Sequence, residues 1–233
     1  MWITPASDSS LFFGFGNEIS LDAHRRVIAL FHAIQQLHDA RIRNLHPAYA
    51  SLLIDFDPFR LTHEELESIV APLLSRPLPP SPELAPALEI PVCYDGDFAP
   101  DLTSVARHTS LTAEQVIALH SGGDYFVYFL GFSPGFAYLG GVPRPLHVPR
   151  LASPRKLVSA GAVGLAGGQT GIYPHDSPGG WQLIGRTPLG MFVPSDDPPS
   201  RLQPGDRVRF RRITRDEFDR LASEQGSLDD SRH

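Results

Sequence analysis

The spacing of apolar residues in the first third of the chain predicts alternating strands and helices. The short apolar run at 11–16 is typical of a strand. Residues 20–38 carry apolar side chains at the spacing of a helix face. Residues 48–56 alternate apolar and polar positions, as a half-buried strand does, and residues 41–46 are available as its hairpin partner.

Thr62 and Glu65 have the spacing of a capping box, which predicts that a second helix begins here. The predicted order is then β-α-β-β-α, and one more strand would complete a ferredoxin-like βαββαβ unit. The apolar run at 88–94 is either that strand or the first strand of a second domain. Prolines are concentrated at 76–86, where we expect a linker.

After this segment the apolar runs become shorter and are more often interrupted by Gly and Pro. Thr112 and Gln115 form a second capping box, after which we expect one helix. Short runs that Gly and Pro separate then predict an antiparallel barrel or sandwich; they are 124–131, 162–167, 181–186, 190–193 and 207–212. The C-terminal tail predicts a short polar helix. We therefore predict an α+β protein with domains at 1–86 and 87–233.

Composition narrows the function classes. The 233 residues carry a net charge of −6, which does not favour a nucleic-acid partner. No apolar run reaches the length of about 20 residues that spans a bilayer, and the first residues lack the features of a signal peptide. Cys93 is the only cysteine, so an internal disulfide is impossible. We expect a cytoplasmic protein.

The stretch GFSPG at 131–135 has the G-x-S-x-G pattern of a serine-hydrolase nucleophile elbow. An elbow requires a helix after the turn, and the glycines and prolines that follow Ser133 disfavour one. The oxyanion hole also uses the backbone N–H of the next residue, and Pro134 has none. We therefore predict that Ser133 lies in a turn and is not a nucleophile.

Sequence motifs for nucleotide binding and metal binding are incomplete or missing. The chain contains no G-x-x-x-x-G-K-[ST] sequence, and residues 14–19 lack the third glycine of a dinucleotide fingerprint. The ten histidines form no tight ligand pattern, so we expect no metal site.

Two segments, 131–143 and 161–190, combine many glycines with aromatic and polar residues. Glycine permits close approach of a ligand or another backbone, and aromatic side chains can line a pocket. We expect the two segments to fold beside each other and to shape one cleft that contains Gln169 and Arg186. The alternative is that the glycines only turn the corners of a small barrel that the aromatic rings fill.

Three longer stretches carry a family resemblance: PGFAYLGG, PRKLVSAGAVGLAGGQTGIYP and DSPGGWQLIGRTP. They resemble the signature segments of the family that contains the B subunit of 5-oxoprolinase, allophanate hydrolase subunit 1 and the kinase inhibitor KipI. The resemblance covers roughly residues 5–212. It implies an N-terminal ferredoxin-like domain followed by a C-terminal cyclophilin-like β-barrel.

The resemblance also implies partners and a reaction. The B subunit of 5-oxoprolinase works beside a C subunit, which is KipA-like, and with a third subunit, A. Together they open 5-oxo-L-proline to L-glutamate while they hydrolyse ATP. Because this chain has no recognisable phosphate-binding loop, we expect ATP to be bound mainly elsewhere in the complex.

The substrate that the resemblance implies is an anion that contains an amide. Arg155, Lys156 and Arg186 are the best candidates to bind its carboxylate. Gln169 and Thr187 have groups that can hydrogen-bond an amide, and His175 is a candidate proton shuttle because histidine titrates near neutral pH. We assign catalytic roles to His175, Gln169 and Arg186. The other candidate substrate-binding residues are Phe136, Tyr138, Tyr173, Ser177 and Trp181. For His175 and Asp176 the alternative is that they simply cap a turn.

Two other functions fit the same resemblance. One is a KipI-like inhibitor of a histidine kinase, in which the barrel grips a protein segment. The other is one component of an allophanate hydrolase or a urea amidolyase-type enzyme.

Overall fold

The computed structural model describes residues 1–75 and 86–230, with side chains described as far as residue 225. The chain divides into two units, Met1–Ala85 and Pro86–His233. The proline-rich segment that we predicted as a linker lies outside the described residues, except for Pro86.

The first unit contains four strands and two helices among its described residues. Its elements are β1 (Trp2–Ser7), β2 (Ser10–Gly14), α1 (Leu21–Gln35), β3 (Ile42–Pro47), β4 (Ser51–Phe56) and α2 (His63–Leu74). The side chain of Ser20 accepts a hydrogen bond from the backbone of Ala23 at the start of α1. The predicted capping box of Thr62 and Glu65 is present at the start of α2.

The strands of the first unit form one antiparallel sheet in the order β1-β2-β4-β3. The predicted hairpin of β3 and β4 is confirmed. The predicted βαββαβ order is wrong, because the described elements run ββαββα. The run at 88–94 does not return to this sheet, and β1, which we did not predict, provides the fourth strand beside β2.

The core of this unit lies between one face of the sheet and the two helices. Alternate residues of β2 and β4 are buried, as a period of two requires, and they meet the apolar faces of α1 and α2. The buried side chains include Leu11, Phe13, Leu52, Ile54 and Phe56 from the sheet, and Val27, Leu30, Ile34, Leu66 and Val70 from the helices.

The second unit contains the remaining nine strands and three helices of the described residues. Its strands are β5 (Leu88–Cys93), β6 (Tyr125–Leu130), β7 (Ala137–Gly140), β8 (Arg155–Val158), β9 (Ala162–Ala166), β10 (Gln169–Ile172), β11 (Ser177–Gly179), β12 (Gln182–Arg186) and β13 (Arg207–Ile213). Its helices are α3 (Leu102–Thr109), α4 (Ala113–Ser121) and α5 (Arg215–Asp230). The predicted capping box of Thr112 and Gln115 opens α4.

Seven of these strands close into a barrel in the order β10-β7-β6-β13-β5-β12-β9. The barrel closes where β5 pairs in parallel with β13, while its other neighbouring strands are antiparallel. The predicted β-barrel is therefore confirmed. The remaining two strands, β8 and β11, form a small antiparallel sheet of their own.

One predicted strand is wrong. Residues 190–193 form only an isolated bridge, between Phe192 and Ser200. The prolines at 194, 198 and 199 lack the N–H groups that a continuous ladder requires, so the segment remains a loop.

Candidate functional site

A second layer of apolar side chains covers part of the outside of the barrel. Val163 and Leu165 of β9 belong to the interior core, whereas their neighbours Ala162 and Ala166 belong to a separate cluster. We call this cluster the outer aromatic layer; it contains Phe136, Val158, Ala162, Ala166, Tyr173, Trp181 and Leu183, with Tyr138 packed against it. Since strand residues alternate between faces, one sheet separates the two cores.

A pair of glycines makes room for the rings of this layer. Gly164 of β9 lies directly opposite Gly171 of β10. A Cβ atom at Gly164 would lie 2.9 Å from the Cβ atom of Trp181, and one at Gly171 would lie 3.1 Å from the ring of Phe136. The glycines therefore permit the close approach of aromatic rings to the backbone.

The two glycine-rich segments lie beside each other, as predicted. The ring of Phe136 lies 5.3 Å from that of Tyr173 and 5.5 Å from that of Trp181, and Tyr138 lies 5.8 Å from Trp181. Phe136, Tyr173 and Trp181 are buried. Most of the predicted aromatic residues thus fill the layer, and Tyr138 is partly exposed at its edge.

Phe132 differs from the other rings of this region. It is 61% exposed and has a φ of 68°, a left-handed conformation that is costly for a bulky residue. Its ring lies 5.4 Å from that of Phe136. The loop between β6 and β7 therefore presents an aromatic side chain at the edge of the outer aromatic layer.

Ser133 lies in this loop, as predicted, and the loop leads into β7 rather than into a helix. The nucleophile-elbow geometry is therefore absent at Ser133. Its hydroxyl oxygen is buried and has no hydrogen-bond partner among the described residues. The hydroxyl of Ser177, on β11, is in the same situation.

Arg155, the first residue of β8, forms an ion pair with Asp101, the residue before α3. Its Nη2 donates to Oδ1 of Asp101 at 2.6 Å. Its Nη1 is buried and, within the part of the chain that the structure describes, has no acceptor. A buried guanidinium N–H without an acceptor costs free energy, so this atom can bind a ligand oxygen favourably.

The phenol group of Tyr173 lies close to the strand position that pairs with Arg155. Arg155 pairs with Gly179, and a Cβ atom at Gly179 would collide with the hydroxyl of Tyr173. The hydroxyl accepts a hydrogen bond from the backbone of Trp181. Burial raises the pKa of Tyr173 above its usual value, although nearby Arg150 and Arg155 favour the ionised form.

The other two predicted cations are arranged differently. Lys156 is exposed on β8. Nε of Arg186 donates to the carbonyl oxygen of Ala160 at 2.8 Å, and its guanidinium carbon lies 5.5 Å from the ring centre of Phe98. Arg155 is thus the predicted cation with a buried donor that the described residues leave unpaired.

Several predicted polar residues meet at the turn before β9. Asp176 Oδ1 accepts from the backbone N–H of Ala160 at 2.8 Å, and the backbone N–H of Thr187 donates to Gly161 at 2.9 Å. Asp176 therefore fixes this turn, as the alternative interpretation proposed. Thr187 is buried, whereas His175 is exposed beside Asp176.

Gln169 and Arg186 do not share a cleft, contrary to our expectation. Gln169 pairs with Ala166 at one end of β9, and Arg186 pairs with Ala162 at the other end. Ala162 and Ala166 are four residue steps apart along the strand, which is about 13 Å. The two side chains therefore start from opposite ends of β9 rather than from neighbouring positions.

The barrel interior contains a polar network that sequence reasoning missed. The hydroxyl of Tyr94 lies 2.7 Å from Nδ1 of His120, and Nε2 of His120 lies 3.0 Å from Oγ1 of Thr170. Thr170 donates its proton to the carbonyl oxygen of Gly164 at 2.9 Å. Its oxygen must then accept from Nε2–H, which leaves Nδ1 to accept from Tyr94.

Burial lowers the pKa of His120 to about 3, so its imidazole is neutral at pH 7. The ring is stacked on Phe210 with centres 4.4 Å apart. Burial also raises the pKa of Tyr94 well above its usual value. The network holds neutral groups between α4, β9 and β10 and is a structural feature of the barrel.

Two kinds of feature are absent from the described residues. We find no group of three or more His, Cys, Asp or Glu side chains arranged to hold a metal ion. Within the described ranges, no helix combines the length and the apolar character needed to cross a bilayer.

Comparisons with known proteins agree with the sequence motifs. Residues 1–202 match the carboxyltransferase domain, subdomain C and D. A protein from Bacillus subtilis (strain 168), named as the B subunit of 5-oxoprolinase, is 39% identical over 226 residues, which are 93% of this chain and 94% of that protein. A more distant relative, named urea amidolyase, from Lachancea kluyveri is 25% identical over 94% of this chain and 14% of its own length.

A solved structure supports the same relationship. The crystal structure of TTHA0988 in space group P212121 superposes with a TM-score of 0.78 and 39% identity, and covers 91% of this chain. This chain spans 40% of the length of that chain. The chain therefore belongs to the carboxyltransferase domain family, subdomain C and D, which contains the B subunit of 5-oxoprolinase that its motifs indicated.

Proposed function

We propose that this chain is the B subunit of an ATP-dependent 5-oxoprolinase, which acts with the C and A subunits to open 5-oxo-L-proline to L-glutamate. The observation that carries the proposal is the 39% identity to a protein named as such a B subunit, over nearly the whole of both chains. We further propose that the barrel unit is cyclophilin-like and that the chain acts in the cytoplasm.

The chemistry of the substrate explains why such a reaction needs ATP. An unstrained lactam is a poor electrophile, and transfer of the γ-phosphoryl group to the lactam oxygen would activate the carbon. One water then forms a bond to that carbon and the C–N bond breaks, which gives a free amine and an acyl phosphate. A second water hydrolyses the acyl phosphate, which releases phosphate and leaves the new carboxylate of L-glutamate. We expect ATP to be bound mainly by the other subunits, because this sequence has no recognisable phosphate-binding loop.

Arg155 is our candidate for the substrate carboxylate. A carboxylate accepts charge-assisted hydrogen bonds from arginine, and Nη1 of Arg155 is a buried donor that no described residue satisfies. The unpartnered hydroxyls of Ser133 and Ser177 are candidates for hydrogen bonds to a ligand at the outer aromatic layer. Apolar contact with that layer suits the methylene groups of a lactam ring.

His175 remains our candidate for proton transfer, in contact with a partner protein of the complex. Its exposed position on the loop before β11 suits that role. Arg186 is a candidate to support the same loop, because it binds the carbonyl oxygen of Ala160 while Asp176 binds the N–H of that residue. Gln169 and Lys156 stay candidates for contacts at the two outer ends of the site.

The test is to co-express the chain with its C and A partners and to measure ADP release that depends on added 5-oxo-L-proline. We expect Arg155→Met to raise KM at least tenfold. Arg209→Met is a matched control, because Arg209 also pairs with an aspartate, Asp124, but on the surface at β13. Absence of substrate-dependent ADP release by the wild-type complex would exclude the proposed function.

The same assay examines the predicted catalytic residues. We expect His175→Ala and Arg186→Ala to lower turnover at least tenfold without loss of assembly. Wild-type rates in either variant would remove that residue from the site.

The likeness to urea amidolyase supports a second candidate function, in which the chain belongs to an allophanate- or urea-processing enzyme. Replacing 5-oxo-L-proline with allophanate in the assay distinguishes the two. Tight binding to a histidine kinase, with no turnover of either compound, would instead favour the KipI-like alternative.

A further inference from the structure

Asp101 has a common position for an aspartate but unusual hydrogen bonds. It is the N-cap residue of α3, where an aspartate side chain normally accepts a hydrogen bond from the first turn of the helix. Its side chain makes no such bond, although it is 7% exposed and therefore buried. The carboxylate of Asp101 therefore does not cap α3, and its hydrogen-bond partners must lie elsewhere.

Both carboxylate oxygens of Asp101 have partners outside α3. Oδ1 accepts from Nη2 of Arg155 at 2.6 Å, and Oδ2 accepts from the backbone N–H of Leu183 at 2.7 Å. The backbone N–H of Asp101 also donates to the carbonyl oxygen of Leu183 at 3.0 Å. Asp101 is thus fixed to β12 by its backbone and by one oxygen, while the other oxygen holds Arg155.

This arrangement fixes the direction of the free end of Arg155. A guanidinium group is planar, so a hydrogen bond that orients Nη2 also orients Nη1. An arginine side chain without such support would sample many rotamers and lose that freedom on binding. Since Nη1 is buried and lacks an acceptor among the described residues, it is held in place without a partner of its own.

We propose that Asp101 is a positioning residue, which holds Arg155 so that Nη1 binds a carboxylate of the ligand at the outer aromatic layer. The identification of that ligand as 5-oxo-L-proline rests on the proposed function. Asp101 itself contacts no substrate, and its effect on binding passes through Arg155.

A purely structural role makes a different prediction. If Asp101 only attached α3 to β12, its loss would lower stability and the amount of active complex, but the complexes that form would bind substrate normally. If Asp101 positions Arg155, its loss weakens the binding of a carboxylate-bearing substrate and leaves a substrate without a carboxylate unaffected.

The experiment uses the complex assembled with the C and A partners. Asp101→Asn removes the charge and retains the size of the side chain. We expect KM for 5-oxo-L-proline to rise at least tenfold while kcat stays within about twofold. Asp124→Asn is the matched control, because Asp124 is an exposed aspartate that holds Arg207 and Arg209 of β13, and we expect wild-type kinetics from it.

A second variant and a second substrate complete the test. Arg155→Lys keeps the charge, but its single ammonium nitrogen cannot occupy the positions of both Nη2 and Nη1 of the planar guanidinium group. This variant too should raise KM at least tenfold even if Asp101→Asn does not fold. With 2-pyrrolidinone, the lactam that lacks the carboxylate, kcat/KM should be the same in wild type and in both variants.

The outcomes separate the two proposals. Wild-type turnover of 5-oxo-L-proline together with an unchanged KM in Asp101→Asn or Arg155→Lys would overturn the role of Asp101 and leave the proposed function intact. An equal loss of kcat/KM with both lactams would also overturn it. No turnover by the wild-type complex would overturn the proposed function, and the assignment of Asp101 would fall with it.

Discussion

The barrel interior and the outer aromatic layer share strands β9 and β10, but their buried polar groups differ in whether they have hydrogen-bond partners. Inside, Tyr94, His120 and Thr170 satisfy one another and end on a carbonyl oxygen. Outside, Arg155 and Ser177 keep buried atoms without partners among the described residues. Because buried polar groups are nearly always paired in proteins, the interior network indicates structure and the outer layer indicates a place for a ligand.

The largest effect is expected from breaking the interior network at its centre. His120→Ala removes a ring that contacts Phe210. It leaves the hydroxyl of Tyr94 without its acceptor, and Thr170 loses one of its two hydrogen bonds. We expect the free energy of unfolding of the barrel unit to fall by about 4 kcal/mol. Urea unfolding followed by Trp181 fluorescence measures this in a Trp2→Phe background, since the chain contains two tryptophans and Trp2 lies in the other unit.

A loss smaller than about 1 kcal/mol in that experiment would contradict the interpretation, because it would mean that the surrounding groups find other partners. The use of a probe within one unit matters here, since a chain of two units need not unfold in one step.

A smaller effect is expected from removing one hydroxyl in each of the two regions. Thr170→Val leaves Nε2–H of His120 without its acceptor and should lower the free energy of unfolding by about 2 kcal/mol. Ser177→Ala is the matched variant, because its hydroxyl is buried but has no partner among the described residues. We expect its effect to lie within about 0.5 kcal/mol; equal losses would remove the distinction between the two regions.

The third prediction concerns acid, which is expected to lower the free energy of unfolding by less per pH unit than either His120→Ala or Thr170→Val. The pKa of His120 is about 3 in the folded protein, below the value of about 6.5 in an unfolded chain. The unfolded state therefore binds the extra proton between these values, so stability is retained above pH 6.5 and falls as the pH is lowered. The slope approaches about 1.4 kcal/mol per pH unit.

Urea unfolding at several pH values measures this slope, and His120→Gln should flatten it. Tyr94 and Tyr125 do not contribute in this range, because burial raises the pKa of both. A wild-type curve with the same slope as that of the variant would show that His120 is not the group responsible.

Local signals predicted much of the fold. The capping boxes at Thr62 and Thr112 fixed where two helices begin, because each consists of residues three positions apart whose bonds do not depend on the rest of the fold. The elements that were missed lack such signals. Strand β1 is mostly exposed and contains Pro5, and α3 is short and has no side-chain cap.

The site was harder to predict for a related reason. The glycine and aromatic content of 131–143 and 161–190 located the layer, since close packing of rings on backbone needs those residue types. Asp101 was not found, because its partners lie 54 and 82 positions further along the chain. His120 was missed for the same reason, since Thr170 follows it by 50 positions.

The parallel pairing of β5 with β13 has a consequence for biosynthesis. The ribosome releases β5 first among the barrel strands and β13 last, yet these two must lie side by side. Until β13 emerges, the nascent barrel has open edges on β5 and β6, which are the strands that β13 joins, and open edges invite pairing with other chains. A translation stop before Arg207 therefore yields an aggregation-prone fragment rather than a smaller barrel.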